Sequence, residues 1–248
     1  MTQAIYPSLK GKRVIVTGGG SGIGAGIVQA FARQGSEVVF LDVLEAESRE
    51  LVKSLAGARV VPEFRRCDLK DLDAVAANVK AIGAADVLIN NAANDDRHAP
   101  SAVTPQYWED RIAVNLRHVF FCSQAVMPGM KGRRGGAIVN LGSISWHLGM
   151  AGLVLYETAK AGIEGMTRAL AREYGPDGIR VTCVVPGNVK TSRQAKWYTP
   201  ADEAGMVAQQ CLKARLHPEH VASLVLFLAS DDARMCTGHE YWIDAGWR

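Results

Sequence analysis

Short runs of apolar, β-branched residues alternate with longer segments of helical period along this chain. Runs that are apolar at nearly every position are typical of strands in a parallel sheet covered on both faces. The predicted strands are Arg13–Thr17, Glu37–Val43, Arg59–Phe64, Asp86–Asn90, Gly136–Leu141, Arg180–Val185 and Tyr241–Asp244. The predicted helices are Ile27–Gln34, Ala46–Leu55, a helix that ends at Ile82, Tyr107–Met130, Tyr156–Tyr174 and His217–Ser230. This alternation predicts a doubly wound α/β fold, a seven-stranded parallel sheet with helices on both faces.

The length of 248 residues fits one large domain, and no linker, repeat or low-complexity tract divides it. We therefore expect a single domain over residues 1–248. Basic residues number 28 and acidic residues 25, which gives a net charge of +3 with no long run of either sign. This balance argues against nucleic acid as a partner.

The five cysteines are scattered and form no C-x-x-C pair, so we expect reduced core residues and no metal site. The N-terminus lacks the apolar segment of a signal peptide. No apolar run approaches the ~20 residues that a membrane-spanning helix needs. The longest run, Val221–Ala229, fits a core helix. These features predict a cytoplasmic protein with no membrane partner.

The first predicted strand leads into a glycine-rich loop, from Gly18 to Gly24, and then into a helix. In this setting glycines let the backbone approach a diphosphate, and the helix N-terminus supplies N–H donors and a positive dipole end. We therefore predict that Gly18, Ser21, Gly22 and Gly24 bind a nucleotide cofactor.

The second predicted strand carries Asp42, eighteen residues after Gly24. An acidic residue at this place can accept hydrogen bonds from both adenosine ribose hydroxyls and repel a 2′-phosphate. No cation lies in the glycine loop, where Ser21 stands, or directly after Asp42, where Val43 and Leu44 follow. The sequence therefore favours NAD over NADP.

Polar residues also follow the later strands. Asp68 can accept from an adenine amine or cap the next helix, and Asn91 lies among small residues against which a ribose can rest. The loop Asn94–Pro100 is unusually polar for a sheet edge, so it is either a solvated loop or a contact for a polar substrate. Asn115 lies inside the longest predicted helix, where a partly buried amide needs partners or a role at the site.

A third group of candidate residues consists of Ser143, Tyr156 and Lys160. Tyr156 precedes Lys160 by four residues, so both side chains would share one helix face. Tyrosine titrates near pH ~10, and a nearby cation favours the phenolate, which would then be a general base at neutral pH. Ser143 would hold the substrate oxygen beside it. A Y-x-x-x-K pair is common by chance, and the nucleotide motifs upstream are what favour a catalytic role.

Taken together, these motifs resemble those of the short-chain dehydrogenase/reductase family over essentially the whole chain. The family's T-G-x-x-x-G-x-G falls on Thr17–Gly24, and its N-N-A-G falls on Asn90–Ala93 with alanine at the last position. The resemblance implies that the catalytic residues are Asn115, Ser143, Tyr156 and Lys160. It implies further cofactor contacts from Ile23, Asp68, Leu69, Asn91, Tyr156, Lys160, Val189 and Thr191.

The resemblance also implies a mechanism. Tyr156 would take the hydroxyl proton of the substrate while a hydride passes from its carbon to NAD. Lys160 would bind the nicotinamide ribose and lower the pKa of Tyr156, and Asn115 would order a water that links Lys160 to solvent. Relatives pair through their two long helices, so a homotetramer is expected.

Five segments resemble bacterial aldose dehydrogenases of this family more specifically: 94–98, 142–149, 156–173, 181–191 and 236–248. This resemblance implies oxidation of the anomeric C1 hydroxyl of a small aldose, D-xylose first, to its lactone. The predicted sugar contacts are Asn94, Ser143, Trp146, His147, Tyr156 and Asn188, under a flap at about 188–212. The open alternatives are L-arabinose, D-galactose, D-glucose, a polyol, a 3-hydroxyacyl group, and an NAD-binding scaffold without turnover.

Overall fold

The structure, a computed structural model, describes residues 4–194 and 198–247, and within them seven strands form one sheet. The strands are β1 (Arg13–Thr17), β2 (Glu37–Asp42), β3 (Glu63–Arg66), β4 (Val87–Asn90), β5 (Gly136–Leu141), β6 (Ile179–Pro186) and β7 (Glu240–Ile243). Neighbouring strands are parallel throughout, in the order β3-β2-β1-β4-β5-β6-β7. The predicted doubly wound, Rossmann-type architecture is confirmed.

Helices connect the strands and cover both faces of the sheet. They are α1 (Gly22–Gln34), α2 (Glu45–Ser54), α3 (Leu72–Ile82), α4 (Pro105–Ile112), α5 (His118–Gly132), α6 (Ser145–Leu148), α7 (Val154–Tyr174), α8 (Pro200–Gln209) and α9 (Pro218–Ala229). Side chains of β1 alternate between two cores, as a strand covered on both faces requires. Val14 and Val16 pack with Phe31 of α1 and Val225 of α9, whereas Ile15 packs on the opposite face with α3, α5 and α7.

The strand order reverses between β1 and β4, because β1 pairs with β2 on one side and with β4 on the other. Loops that leave the carboxyl ends of these two strands run to opposite faces of the sheet and open a crevice between them. The fold therefore places the glycine loop after β1 and the Asn91 segment after β4 at the two sides of one cleft.

Three predicted elements differ from the structure by several residues. The first helix begins at Gly22 and not at Ile27. The third strand is Glu63–Arg66, not Arg59–Phe64, and the reason is Pro62, which has no N–H to donate to a sheet. The predicted helix Tyr107–Met130 is divided by a π-helical turn, Ala113–Arg117, between α4 and α5. Such turns occur frequently at functional sites, and this one contains Asn115.

All five cysteines are free thiols. Burial raises the pKa of Cys122 and Cys183 to about 12, so both stay protonated and inert at neutral pH. Cys211 is exposed, so the expectation that all five are core residues is wrong at this position. Among the described residues, no helix is long and apolar enough to span a bilayer, and no cluster of metal-ligating side chains is found.

Candidate active site

A cleft of about 680 Å³ lies at the carboxyl edge of the sheet, from the end of β2 across to the loops after β5 and β6. All residues predicted to contact the cofactor line it: Gly18, Ser21, Gly22, Ile23, Gly24, Asp42, Asp68, Leu69, Asn91, Tyr156, Lys160, Val189 and Thr191. Ser143 and Asn94 line the same cleft. Their roles stay predictions, but the fold does bring these residues to one cavity.

The glycine loop is shaped by two close backbone approaches. Gly18 has a φ of +65°, and a Cβ at this position would lie 2.7 Å from the Ala92 Cα. A Cβ on Gly24 would lie 1.9 Å from the Gly18 carbonyl oxygen. The Ser21 side chain does not cap α1, so the first-turn N–H groups of this helix keep their capacity to bind an anion. These features fit the diphosphate of a dinucleotide.

The carboxylate of Asp42 is held by the loops on both sides of it. One oxygen accepts from the Gly20 N–H at 2.7 Å and the other from the Leu44 N–H at 2.9 Å. The register of β2 and β3 places Arg66 beside Asp42, and both residues line the cleft. No cation lies next to Asp42 along the chain, and Arg66 becomes its neighbour only through strand pairing.

Asp68 and Asn91 take up different tasks at the cleft wall. Asp68 is exposed and accepts from the Lys70 N–H. Its alternative role as a helix cap is wrong, because Asp71 caps α3 by accepting from Ala74 N–H. Asn91 Nδ2 donates to the carbonyls of Thr17 and Gly18, at 3.0 and 2.8 Å. This pair of bonds fixes the turn after β4 to the start of the glycine loop.

Asn115 is fully buried in the π-helical turn, and its amide is used by the loop that begins at Asn94. Its Oδ1 accepts from the Asn94 N–H at 2.7 Å, and its Nδ2 donates to the Asn94 carbonyl at 3.0 Å. A reciprocal pair of this kind satisfies both polar ends of a buried amide. The side chain of Asn115 therefore positions the polar loop at the mouth of the cleft, and its predicted role in a proton outlet stays a prediction.

Ser143, Tyr156 and Lys160 converge where β5 ends. Lys160 Nζ donates to the Leu141 carbonyl at 2.7 Å and lies 5.4 Å from the centroid of the Tyr156 ring. Ser143 Oγ lies 2.9 Å from Ser145 Oγ and accepts from the Ser145 N–H at 3.1 Å. The predicted shared helix face is thus present, and α7 is attached to the end of the strand that precedes the serine.

The pKa of Tyr156 is shifted in the direction opposite to the one expected. Burial raises the pKa of the Tyr156 phenol, and the Asp95 carboxylate raises it further, whereas the Ser143 hydroxyl and the Arg193 guanidinium lower it. Burial also lowers the pKa of Lys160 to about 8, because desolvation disfavours the ammonium. Lys160 was expected to bring the phenol's pKa down. In this structure the desolvation of the phenol is the larger effect.

Trp146 and His147 are not among the described residues that line the cleft. Both lie on α6 directly after Ser143, and both ring nitrogens contact the same oxygen of the buried Glu164 on α7. Trp146 Nε1 donates to Oε1 at 2.8 Å, and His147 Nε2 lies 3.1 Å from it. The structure therefore uses these side chains to fasten the Ser143 segment to α7. Their predicted contacts with a sugar stay predictions.

Asn188 is buried and also lies outside the lining of the cleft within the described residues. Its Oδ1 accepts from Arg215 Nη2 at 3.0 Å, and its Nδ2 lies 2.7 Å from Met206 Sδ. The amide thus joins the end of β6 to the chain around α8. In the predicted flap, Lys196 and Trp197 lie outside the described residues.

Two charged residues that line the cleft, Asp95 and Arg193, are not among the predicted site residues. Arg193 Nε lies 2.9 Å from Asp95 Oδ1, and Arg193 Nη2 lies 3.0 Å from Asp96 Oδ1. The polarity of the loop Asn94–Pro100 was the available signal. It indicated a polar contact but not which side chain turns into the cleft.

The chain is similar to known proteins along its whole length. The model of a family described as enoyl-(acyl carrier protein) reductase matches residues 18–248. A D-xylose 1-dehydrogenase of Caulobacter vibrioides is 69% identical, with 100% of each chain covered. A protein of Rhizobium meliloti named "Probable galactose dehydrogenase" is 45% identical over 97% of this chain and 96% of its own.

The fold comparison agrees with these matches. A solved structure described as a short-chain dehydrogenase/reductase family protein superposes with a TM-score of 0.87 at 31% identity, covering 96% of this chain and 98% of its own. The glycine loop, the convergent serine, tyrosine and lysine, and these relatives lead to one conclusion: the chain is an oxidoreductase of the short-chain dehydrogenase/reductase family.

Proposed function

We propose that this protein is an NAD-dependent aldose 1-dehydrogenase that oxidises D-xylose at its anomeric C1 hydroxyl to the lactone. The observation that carries the proposal is the convergence of Ser143, Tyr156 and Lys160 in the cleft that also holds the glycine loop and Asp42. The 69% identity with a D-xylose 1-dehydrogenase, over the full length of both chains, supports the choice of sugar.

The chain's own residues divide the reaction among them. Ser143 donates a hydrogen bond to the C1 oxygen, and the ionised Tyr156 phenol accepts the proton of the C1 hydroxyl. Burial raises the pKa of Tyr156 and opposes this ionisation, whereas the Ser143 hydroxyl and the Arg193 guanidinium favour it. As that proton leaves, the C1 hydrogen departs as a hydride and the C1–O bond becomes the lactone carbonyl. When bound, NAD supplies the hydride acceptor. Lys160 holds the nicotinamide ribose, and burial lowers the pKa of its ammonium.

The preference for NAD over NADP rests on Asp42. Its carboxylate lies in the cleft and is fixed by two backbone N–H groups, so it can accept from ribose hydroxyls and repel a 2′-phosphate. Arg66 opposes this preference, because a guanidinium in the same part of the cleft can bind a phosphate. The charge of Asp42 lies beside Arg66 and offsets it.

A sugar panel tests the proposal. Initial rates of NADH formation would be measured with D-xylose, L-arabinose, D-galactose and D-glucose, each with NAD and with NADP. We expect kcat/KM for D-xylose to exceed that for D-glucose by at least about tenfold, or ~1.4 kcal/mol. The reason is the extra hydroxymethyl group on C5 of a hexose, which a pocket shaped for a pentose rejects by steric overlap.

Other outcomes would point elsewhere. If D-glucose or D-galactose matched D-xylose, the pentose assignment would be wrong while aldose oxidation stood; the 45% identity with a galactose dehydrogenase makes D-galactose the first alternative. Turnover of polyols or 3-hydroxyacyl compounds alone would replace the substrate class. NAD binding without any turnover would mean that the protein is a non-catalytic NAD-binding scaffold.

We also propose a cytoplasmic homotetramer. Large apolar side chains are exposed along the long helices: Trp108 on α4, Phe120 on α5 and Val154 on α7 are 41%, 38% and 44% exposed. Apolar surface of this kind is typical of an interface between subunits. Light scattering should give about four times the chain mass of 26.7 kDa, and a value near that mass would exclude the assembly.

A further inference from the structure

Asp95 is a carboxylate inside the cleft to which the mechanism gives no task. It follows Asn94, whose backbone N–H and carbonyl are held by the buried amide of Asn115. This anchoring fixes the start of the loop and brings Asp95 into the lining, in the same cleft as Ser143 and Tyr156. The hydrogen bonds at Asn94 therefore restrict where the Asp95 side chain can lie.

The two neighbouring carboxylates of this loop differ in what they face. Asp96 does not line the cleft, and it contacts two guanidinium groups, Arg111 at 3.3 Å and Arg193 at 3.0 Å. Asp95 lines the cleft and contacts Arg193 through Oδ1 at 2.9 Å. Among residues 4–194 and 198–247, Asp95 Oδ2 makes no hydrogen bond. An ionised carboxylate accepts at both oxygens, so Asp95 retains acceptor capacity in the cavity.

The negative charge of Asp95 also disfavours ionisation of Tyr156. The groups that act on the Tyr156 phenol are Asp95 from the loop, Arg193 from the flap, Glu157 from α7 and the Ser143 hydroxyl, with the Lys160 ammonium 5.4 Å from the ring centroid. Asp95 raises the pKa of Tyr156 and thus opposes the ionisation that proton transfer requires, while Arg193 lowers it. Because the Arg193 guanidinium lies beside Asp95, it offsets part of the rise that Asp95 causes in the pKa of Tyr156.

We propose that Asp95 is a substrate-binding residue that accepts a hydrogen bond from a non-reacting hydroxyl of the bound molecule. The ligand class is a small polyhydroxylated ring, whose hydroxyl donors match the open acceptor oxygen, and Arg193 holds the carboxylate in place. A charge-assisted bond of this kind is stronger than one between neutral groups. The inference rests on the proposed function and deepens it, because it names a group that distinguishes a sugar from a simple alcohol.

The first arm of the test compares two matched variants. Asp95→Asn keeps the shape and removes the charge, and Asp96→Asn makes the same change one residue away, outside the cleft. In Asp95→Asn we expect KM for D-xylose to rise at least about tenfold, or ~1.4 kcal/mol, with unchanged Kd for NAD. Asp96→Asn should stay within about twofold of wild type, or ~0.4 kcal/mol. Equal effects in both variants would show that Asp95 serves only to hold the flap, and would overturn the proposal.

The second arm identifies the hydrogen bond itself. The 2-, 3- and 4-deoxy analogues of D-xylose would be assayed with wild type and with Asp95→Asn. One analogue should lose at least about tenfold in kcat/KM with wild type and no more than about twofold with the variant, because the partner is already gone. Wild type alone also decides: if no analogue is poorer than D-xylose by that factor, the proposal fails even when the variant does not fold.

The third arm is the pH profile of kcat/KM. Removing the Asp95 charge lowers the pKa of Tyr156, so the acid limb of Asp95→Asn should move to lower pH. Arg193→Gln removes the opposing cation, raises the pKa of Tyr156 and should move the limb to higher pH. An unmoved limb would show that the Asp95 charge does not act on Tyr156, and together with an unchanged KM it would refute the assignment.

The outcome for the parent proposal is read separately. Wild-type turnover of D-xylose tests the proposed function, and the Asp95 variants test the binding role. If wild type oxidised only simple alcohols at a rate that Asp95→Asn left unchanged, both ideas would fail. If wild type oxidised D-xylose and Asp95→Asn matched it, only the role of Asp95 would fail.

Discussion

The cofactor side and the substrate side of the cleft are built in different ways. On the cofactor side, the glycine loop, Asp42 and the Asn91 turn follow directly from strand ends, and every residue predicted to contact the cofactor lines the cavity. On the substrate side, Trp146, His147 and Asn188 lie behind the lining and bond to other parts of the chain. Backbone geometry forms the first side, whereas long-range side-chain partners form the second.

This difference between the two sides shows where a sequence motif predicts the position of a side chain. A strand, a glycine loop and a helix fix the local backbone, because the positive φ of Gly18 favours glycine and the close approaches at Gly18 and Gly24 leave no room for a Cβ. A side chain on a short helix such as α6, which carries Trp146, can face the cleft or the protein behind it. Its direction depends on whether an acceptor such as Glu164 lies behind it, and Glu164 is eighteen residues away in the sequence.

Tyr156→Phe tests the point where the two sides meet, and it should have the largest effect. Removing the phenol oxygen removes the proton acceptor, so kcat should fall by at least about a hundredfold. The Kd for NAD should stay near that of wild type, because the backbone cradle does not change. Stopped-flow rates would measure kcat, and titration calorimetry with NAD would measure the Kd.

The matched control is Tyr174→Phe, at the other end of α7 and outside the described lining of the cleft. It should keep wild-type rates. Retention of more than a few per cent of kcat in Tyr156→Phe would mean that another group accepts the proton.

Glu164→Ala should disrupt the substrate side of the cleft and leave the cofactor side unchanged. The change removes the shared acceptor of Trp146 and His147 and leaves the indole N–H without its partner, at a cost of ~1–3 kcal/mol in unfolding free energy. We expect kcat to fall about tenfold, or ~1.4 kcal/mol in the transition state, because the Ser143 segment is no longer fastened to α7. Urea denaturation and steady-state kinetics would check both.

Glu164→Gln keeps an acceptor oxygen for Trp146 and should recover part of both losses. Glu173→Ala, an exposed position on the same helix, is the control and should behave as wild type. If Glu164→Ala weakened NAD binding as much as it lowered kcat, the two sides of the cleft would not be separable in the way proposed.

Asp42→Ala should have the smallest effect, and it tests the cofactor side of the cleft. The variant no longer repels a 2′-phosphate and leaves Arg66 to bind it. The kcat/KM ratio of NAD to NADP should therefore narrow by about fivefold to tenfold, or ~1–1.4 kcal/mol.

The double variant Asp42→Ala with Arg66→Ala should lose much of the gain in NADP use, since the guanidinium that binds the phosphate is gone. A wild-type enzyme that already preferred NADP would contradict the role given to Asp42.

Much of the architecture was determined by the sequence alone. Seven apolar runs separated by helical periods required a parallel sheet covered on both faces, and strand ends before Gly18, Asn91 and Ser143 placed those residues at one edge. These are local relations between neighbours in the chain, and local backbone preference and burial are sufficient to settle them.

Other features were decided only by the tertiary structure. Arg66 became a neighbour of Asp42 through the register of two strands, and Asn115 met Asn94 through a π-helical turn that helical periodicity does not predict. The pKa of Tyr156 moved opposite to the direction expected from Lys160 because burial, a property of the packed fold, was the larger effect. Periodicity predicts which face of an element is buried. The polar group that meets a given side chain there depends on residues distant in sequence, and only folding brings them together.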